Sequence, residues 1–148
     1  MFLHYKFNNI FLEINNYLMK KTTTKLKIRY SETDQMGVVH HGNYAQFFEI
    51  GRLDWINKLG ISYKKMESEG VLLPVLSLEV NFIKSAYYDD EIVVHTYLIE
   101  KPTAKIKFEY EIYNSSNELI TTAKTELVFV SKKNNKPIRC PNYFLERI

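Results

Sequence analysis

Cysteine is nearly absent. Cys140 is the one cysteine among 148 residues, so the chain cannot form an internal disulfide. That usage suits a reducing cytoplasm, the expected location. Histidine is sparse too. His40 and His41 are adjacent and could not easily both face one metal, and His4 and His95 have no ligand-type neighbours, so no metal site is expected. Gly-x-Ser-x-Gly does not occur, which removes the usual serine-hydrolase elbow. Net charge is only +3, with lysines interleaved with acids, and nucleic acid is not an expected partner. No apolar run is long and clean enough to span a bilayer. There is no repeat or low-complexity tract. What remains is a chain of one-domain length, 45% hydrophobic and 25% charged.

Residues 1–20 are apolar but broken by Asn and Glu, unlike a secretory signal. Phe7, Ile10, Phe11, Ile14 and Leu18 recur at helical spacing. Three readings stand: a helix packed on the domain, a segment for a membrane or partner, or sequence upstream of a start at Met19. The division expected is 1–20 as an extension, outside the domain on the last reading, and 21–148 as the domain.

In 23–30, Leu26, Ile28 and Tyr30 alternate with Lys25, Lys27 and Arg29, the pattern of a half-buried strand. Residues 43–59 predict a helix. Asn43 is its expected N-cap, with Gln46 completing a capping box. Tyr44, Phe47, Phe48, Gly51, Trp55, Ile56 and Leu59 form a wide apolar face. Gly51 costs helix propensity, so a close approach to a sheet is expected there. Gly60 suits a left-handed cap. Glu49 and Arg52 are an expected ion pair, though either has a side chain fit for catalysis. A short helix over 62–69 follows.

From residue 71 the period is two. Strands are predicted around Leu76–Phe82, Ile92–Ile99, Lys105–Ile112 and Ala123–Phe129. Tyr88-Asp89-Asp90 and Asn114-Ser-Ser-Asn117 are turns. A helix apolar nearly all round, with five strands to wrap it, predicts an α+β fold: an antiparallel five-stranded sheet curled around a central helix.

Between the first strand and the helix, ten residues from Asp34 to Asn43 hold an acid, His40, His41, Gly37 and Gly42. A carboxylate beside the N–H groups of a helix start suits base or nucleophile chemistry with oxyanion stabilisation. A turn with a helix cap has the same composition. The order is more telling. Tyr30-x-x-Thr-Asp-x-Met-Gly-Val-Val-x-His-x-Asn-Tyr44, then Phe-Phe-Glu-x-x-Arg52, resembles the signature of hotdog-fold acyl-CoA thioesterases. The look is nearest to the 4-hydroxybenzoyl-CoA thioesterase family and its Tol-Pal-associated branch. It extends through Phe82–Glu91 and covers about residues 24–141.

That resemblance implies hydrolysis of an acyl-CoA, or of an acyl carrier protein thioester, with no cofactor. It implies a hotdog fold and a homodimer or homotetramer with sites at the interface. It assigns Asp34 as nucleophile or general base. The His41 backbone N–H would polarise the thioester carbonyl, and Tyr30 joins them as a residue associated with activity. A core strand tyrosine and a packing histidine are the plainer readings of Tyr30 and His41. Gly37 is expected to permit a tight turn near substrate, beside Val38 and Asn43. Lys132, Lys133 and Lys136 are either contacts for the CoA 3′-phosphate or solvated charge. Two rival functions are a non-catalytic module that binds acyl thioesters and a hydratase, whose own sequence setting is not matched here.

Overall fold

The computed structural model describes residues 21–148; the expectations for 1–20 lie outside the described residues. Strand β1 (Lys21–Lys27) leads into a loop with two 3-10 turns, Tyr30–Glu32 and His41–Asn43. Helix α1 (Tyr44–Lys58) and helix α2 (Tyr63–Ser68) follow. Then come β2 (Val71–Leu72), β3 (Val75–Phe82), β4 (Glu91–Leu98), β5 (Lys105–Tyr113) and β6 (Leu119–Val128). β7 (Val130–Ser131), β8 (Lys136–Pro137) and α3 (Asn142–Leu145) end the chain. The main sheet is antiparallel with strand order β1-β4-β5-β6-β3, the α+β hotdog architecture. β2, β7 and β8 make a small second sheet that residue periodicity did not predict, because strands of two residues carry no period.

The apolar face of α1 forms because its large residues recur every three or four positions. Tyr44, Phe47, Phe48, Gly51, Trp55 and Ile56 are all buried. The helix packs across β1 and β4, and its rings reach β5: Trp55 meets Phe108 at 5.2 Å and Phe48 meets Tyr110 at 5.0 Å between centroids. Inward residues of β4 and β5 (Ile92, Val94, Leu98, Ile106, Phe108, Ile112) complete the core. Phe144 of α3 is also buried, against Trp55 and Phe129, so the tail is a lid on the core rather than a loose end.

Three sequence expectations, for the end of β1, the Asn43 cap and the Glu49–Arg52 pair, are corrected. The apolar residues of β3 are left uncovered: Leu76 is 52% and Phe82 53% exposed. α1 lies towards the β1 and β4 side, and β3 is at the opposite edge of the sheet. β1 stops at Lys27 instead of running to Tyr30, which is 78% exposed in a 3-10 turn. Asn43 makes no cap bond to the helix; its Nδ2 donates to the Glu32 carbonyl at 2.7 Å. Glu49 and Arg52 form no ion pair among the described residues. Arg52 is buried, with Nη1 3.5 Å from the Tyr110 hydroxyl, while Glu49 faces solvent.

Gly51 sits where the helix touches the sheet. A Cβ there would lie 2.6 Å from Thr96 Oγ1 and 3.0 Å from Val94 Cγ1. Both neighbours are stiff, β-branched and buried. The usual gain of about 1 kcal/mol for Gly→Ala in a helix is therefore outweighed by overpacking of about 1–3 kcal/mol. Gly51→Ala is expected to lower the melting temperature, and to cost less on a Thr96→Ala background. Equal losses on both backgrounds, read by thermal denaturation, would show that contact with Thr96 is not the reason for the glycine.

Candidate active site

The loop from Arg29 to Asn43 is held by Glu32. Its carboxylate is buried and accepts the Arg29 N–H (2.7 Å), Arg29 Nε (3.0 Å) and Arg29 Nη2 (2.7 Å). These are charge-assisted bonds, stronger than neutral ones. Its backbone carbonyl accepts the His40 N–H (2.9 Å) and Asn43 Nδ2 (2.7 Å). The two ends of the loop are thus brought to one residue. Val39 adds a third tie, its N–H donating to the Ala86 carbonyl at 2.8 Å.

Within the loop Asp34 starts a tight turn. Its N–H donates to the Val38 carbonyl (2.9 Å), and its own carbonyl accepts the Gly37 N–H (2.9 Å). Gly37 has φ +76°, a conformation that strains any residue with a Cβ. Asp34 Oδ1 accepts the Met36 N–H at 2.8 Å. Asp34 Oδ2 has no hydrogen-bond partner among the described residues. One oxygen fixes the carboxylate and the other is free.

The second half of the loop carries the amides of the helix start. The His40 N–H goes to Glu32, the Gly42 N–H to His40 Nδ1 (3.1 Å), the Asn43 N–H to the His40 carbonyl (2.9 Å) and the Tyr44 N–H to the His41 carbonyl. The His41 N–H alone in this run has no partner among the described residues. An unclaimed amide at a helix start suits an anion or developing oxyanion.

Asp34 and His41 line the same open cavity, of about 380 Å³, with Val38, Tyr44, Phe82 and Lys84 among its walls. Tyr44 and Phe82 meet edge to face at 5.1 Å. Burial raises the Tyr44 hydroxyl above the usual phenol range, keeping that wall neutral. Lys84 is ion-paired with Glu118. A larger hollow of about 590 Å³ lies on the other side of the sheet, but its acids are already bonded: Glu109 to Lys124, and Glu111 to the Tyr97 and Tyr113 hydroxyls.

The structure brings Asp34, Val38 and His41 together and places the other sequence candidates elsewhere. Tyr30 stacks edge-on against Tyr88 at 5.5 Å, outside the cavity lining. Gly37 shapes the turn and Asn43 ties the loop; neither lines the cavity. Lys132 and Lys133 follow β7 at the small sheet, where the Lys132 N–H is bound to the Gly70 carbonyl at 2.8 Å. Glu32, Tyr44, Phe82 and Lys84 were not singled out from sequence as site residues. Phe82 and Lys84 lie about 50 residues past Asp34, and pairing of β3 with β6 sets their position. The spacing Arg29-x-x-Glu32 was the one local signal available, a basic and an acidic residue three apart at a strand end. Cys140 is buried away from the site, and burial pushes its thiol up to about 12, so it is no thiolate nucleophile. Among the described residues no three His, Cys, Asp or Glu side chains are grouped to hold a metal, and no helix is long and apolar enough to cross a membrane.

The chain is similar to known thioesterases. A family model described as the thioesterase-like superfamily matches residues 28–148. A putative acyl-CoA thioesterase of Bacillus subtilis, YneP, is 38% identical over 121 residues, 82% of this chain and 88% of its own. The acyl-CoA thioester hydrolase YbgC of Escherichia coli is 27% identical over 78% of this chain and 87% of its own. The solved structure of a DHNA-CoA thioesterase from Staphylococcus aureus superposes with a TM-score of 0.81 at 44% identity, covering 85% of each chain.

His41→Ala and His41→Pro separate the side chain from the amide. His40 before it is extended (φ −62°, ψ 134°), the conformation favoured before proline, and His41 opens a 3-10 turn. Proline therefore fits the backbone and, compared with alanine, removes only the free N–H. The Pro variant is expected to lose on the order of 100- to 1000-fold in kcat, and the Ala variant clearly less. Equal activities in two folded variants would remove the amide from the chemistry.

Proposed function

The chain belongs to the thioesterase-like superfamily and is an acyl-CoA thioesterase; from that premise we propose that Asp34 and the His41 N–H act together on the thioester carbonyl. The observation that carries this reading is one cavity holding a carboxylate with one free oxygen and, of the amides of residues 40–44, the one without a partner among the described residues. The acyl group lies against Val38, Tyr44 and Phe82. Asp34 Oδ2 either attacks the carbonyl carbon, forming an anhydride that water later cleaves, or takes a proton from an attacking water. In both routes the carbonyl oxygen gains negative charge that the amide stabilises by donating a hydrogen bond to it, and the C–S bond breaks to release CoA as a thiol after protonation.

The finer assignments belong to the same proposal. Membership of the Tol-Pal-associated branch rests on Tyr30, Asp34 and His41 standing in that branch's order. Tyr30 acts from outside the cavity: Tyr87, next to its stacking partner Tyr88, bridges to Val38 of the cavity wall. Lys84 joins Lys132 and Lys133 as a contact for CoA phosphates, and Gly37 and Asn43 shape the loop that meets the substrate. An acyl carrier protein presents the same phosphopantetheine thioester and is the alternative donor. The enzyme works in the cytoplasm as a homodimer or homotetramer. The oligomer is supported by β3, whose second edge is open among the described residues and whose Leu76, Leu78 and Phe82 are exposed.

Two outcomes follow. Leu78→Lys puts a charge on that exposed edge and is expected to yield a 17.6 kDa monomer by light scattering, against at least twice that mass for the natural chain. A monomeric natural chain would overturn the oligomer. Asp34→Asn keeps an acceptor for the Met36 N–H, so the turn survives. The Asn variant is expected to bind acyl-CoA, melt normally and lose hydrolysis by about 100-fold or more. Near-natural kcat in a folded variant would refute the role of Asp34.

A further inference from the structure

His40 is absent from the cavity lining, yet its contacts tie it to the residue that is there. Its Nδ1 accepts the Gly42 N–H at 3.1 Å. Its ring stacks on the His41 ring, 4.1 Å between centroids and tilted by 32°. Its carbonyl takes the Asn43 N–H at 2.9 Å, and its own N–H is held by Glu32. Gly42 makes this possible: a Cβ there would sit 3.2 Å from His40 Nδ1 and 3.4 Å from His40 Cε1. A side chain at 42 would crowd the imidazole away from the amide it caps.

From these contacts we propose that His40 is a positioning residue for the oxyanion donor. Five amides, those of residues 40–44, crowd the start of the helix, and a thioester oxygen needs one of them in a fixed place. The His40 imidazole takes the Gly42 N–H out of competition and braces the His41 ring. His40 also spends its main-chain groups on Glu32 and Asn43. The His41 N–H is left as the one open donor, and the turn that carries it is fixed before substrate arrives. Nδ1 must be unprotonated to accept the Gly42 N–H, so a neutral His40 carries its proton on Nε2. Preorganised donors of this kind act in the transition state more than in the ground state, so their loss lowers kcat rather than raising KM.

This inference rests on the reading of Asp34 and His41 given above, and one experiment on the full chain keeps the two apart. His40→Leu fills the space but accepts no hydrogen bond. His40→Asn restores an acceptor at a cap position where Asn is favoured. With an acyl-CoA and a colorimetric thiol reagent, His40→Leu is expected to lose on the order of 10-fold or more in kcat. Its KM is expected to stay within about 2-fold, and His40→Asn to return kcat to within about 3-fold of the natural enzyme. A folded Leu variant with natural kcat, or an Asn variant as slow as Leu at an unchanged melting temperature, overturns the assignment. If the Leu variant does not fold, His40→Asn decides: near-natural kcat supports the cap, and a 10-fold loss with an intact melt, roughly, rejects it. Asp34→Asn is run beside them. An active Asp34→Asn enzyme removes the site reading itself; an inactive one with an unaffected His40→Leu enzyme removes only His40.

Discussion

A single buried carboxylate organises the site. Glu32 is the residue on which both ends of the loop converge: Arg29 from the strand side grips its side chain, and His40 and Asn43 from the helix side bond its carbonyl. Burying a charge is tolerable only when it is paired and fully hydrogen-bonded, and the fork of Arg29 with its own backbone N–H provides that. Arg29 itself is largely in solvent, so the pair is anchored on the Glu32 side. Without this tie the turn at Asp34 and the turn at His41 would be two ends of a polar loop with no reason to face one cavity.

The constraint extends outward through packing. α1 is pinned to the sheet by Gly51 against Thr96, and its far end is tied to β1 by Asp54 and Lys58. The Arg147 guanidinium takes the Leu59 and Gly60 carbonyls that close the helix. With the helix axis fixed, its first turn can only present its amides at the end where β3 turns towards β4. Phe82 and Lys84 reach the cavity there, and Tyr44 contacts Phe82. Carboxylate and amide therefore come from two turns of one loop, and the apolar wall from α1 and β3, all held by the same core.

Much of this was legible in sequence because periodicity encodes burial. The alternation of β4 and β5 and the three-four spacing of α1 gave the sheet, the helix and its inward face. The left-handed cap at Gly60 (φ +74°) and the close approach at Gly51 follow from what glycine alone permits. Periodicity failed where burial depends on a neighbour in space. It puts a strand at Leu76–Phe82 but does not say that α1 lies elsewhere and leaves that strand uncovered. Tyr30 continues a perfect alternation and still leaves the strand, because Glu32 draws the chain into a 3-10 turn. Asn43 has cap chemistry but spends it on the Glu32 carbonyl. Lys132 and Lys133 are offered to a phosphate by their charge; where they sit is set by β7 pairing with β2, which charge does not encode. The order of residues from Tyr30 to Arg52 brought Asp34 and His41 into one hypothesis; the separation of amide partners that singles out the His41 N–H needed coordinates.

The central claim is that the free His41 amide meets the thioester oxygen while that carbonyl stands at Asp34. The most direct measurement is the infrared carbonyl band of an acyl-CoA carrying carbon-13 at the carbonyl, bound to the Asp34→Asn enzyme. A preorganised donor at a largely apolar wall withdraws electron density from the carbonyl more than water does. The band is expected below its position in water, and to return towards that position when His41→Pro is added. A bound band at or above the water position, unchanged by the proline, would contradict the account.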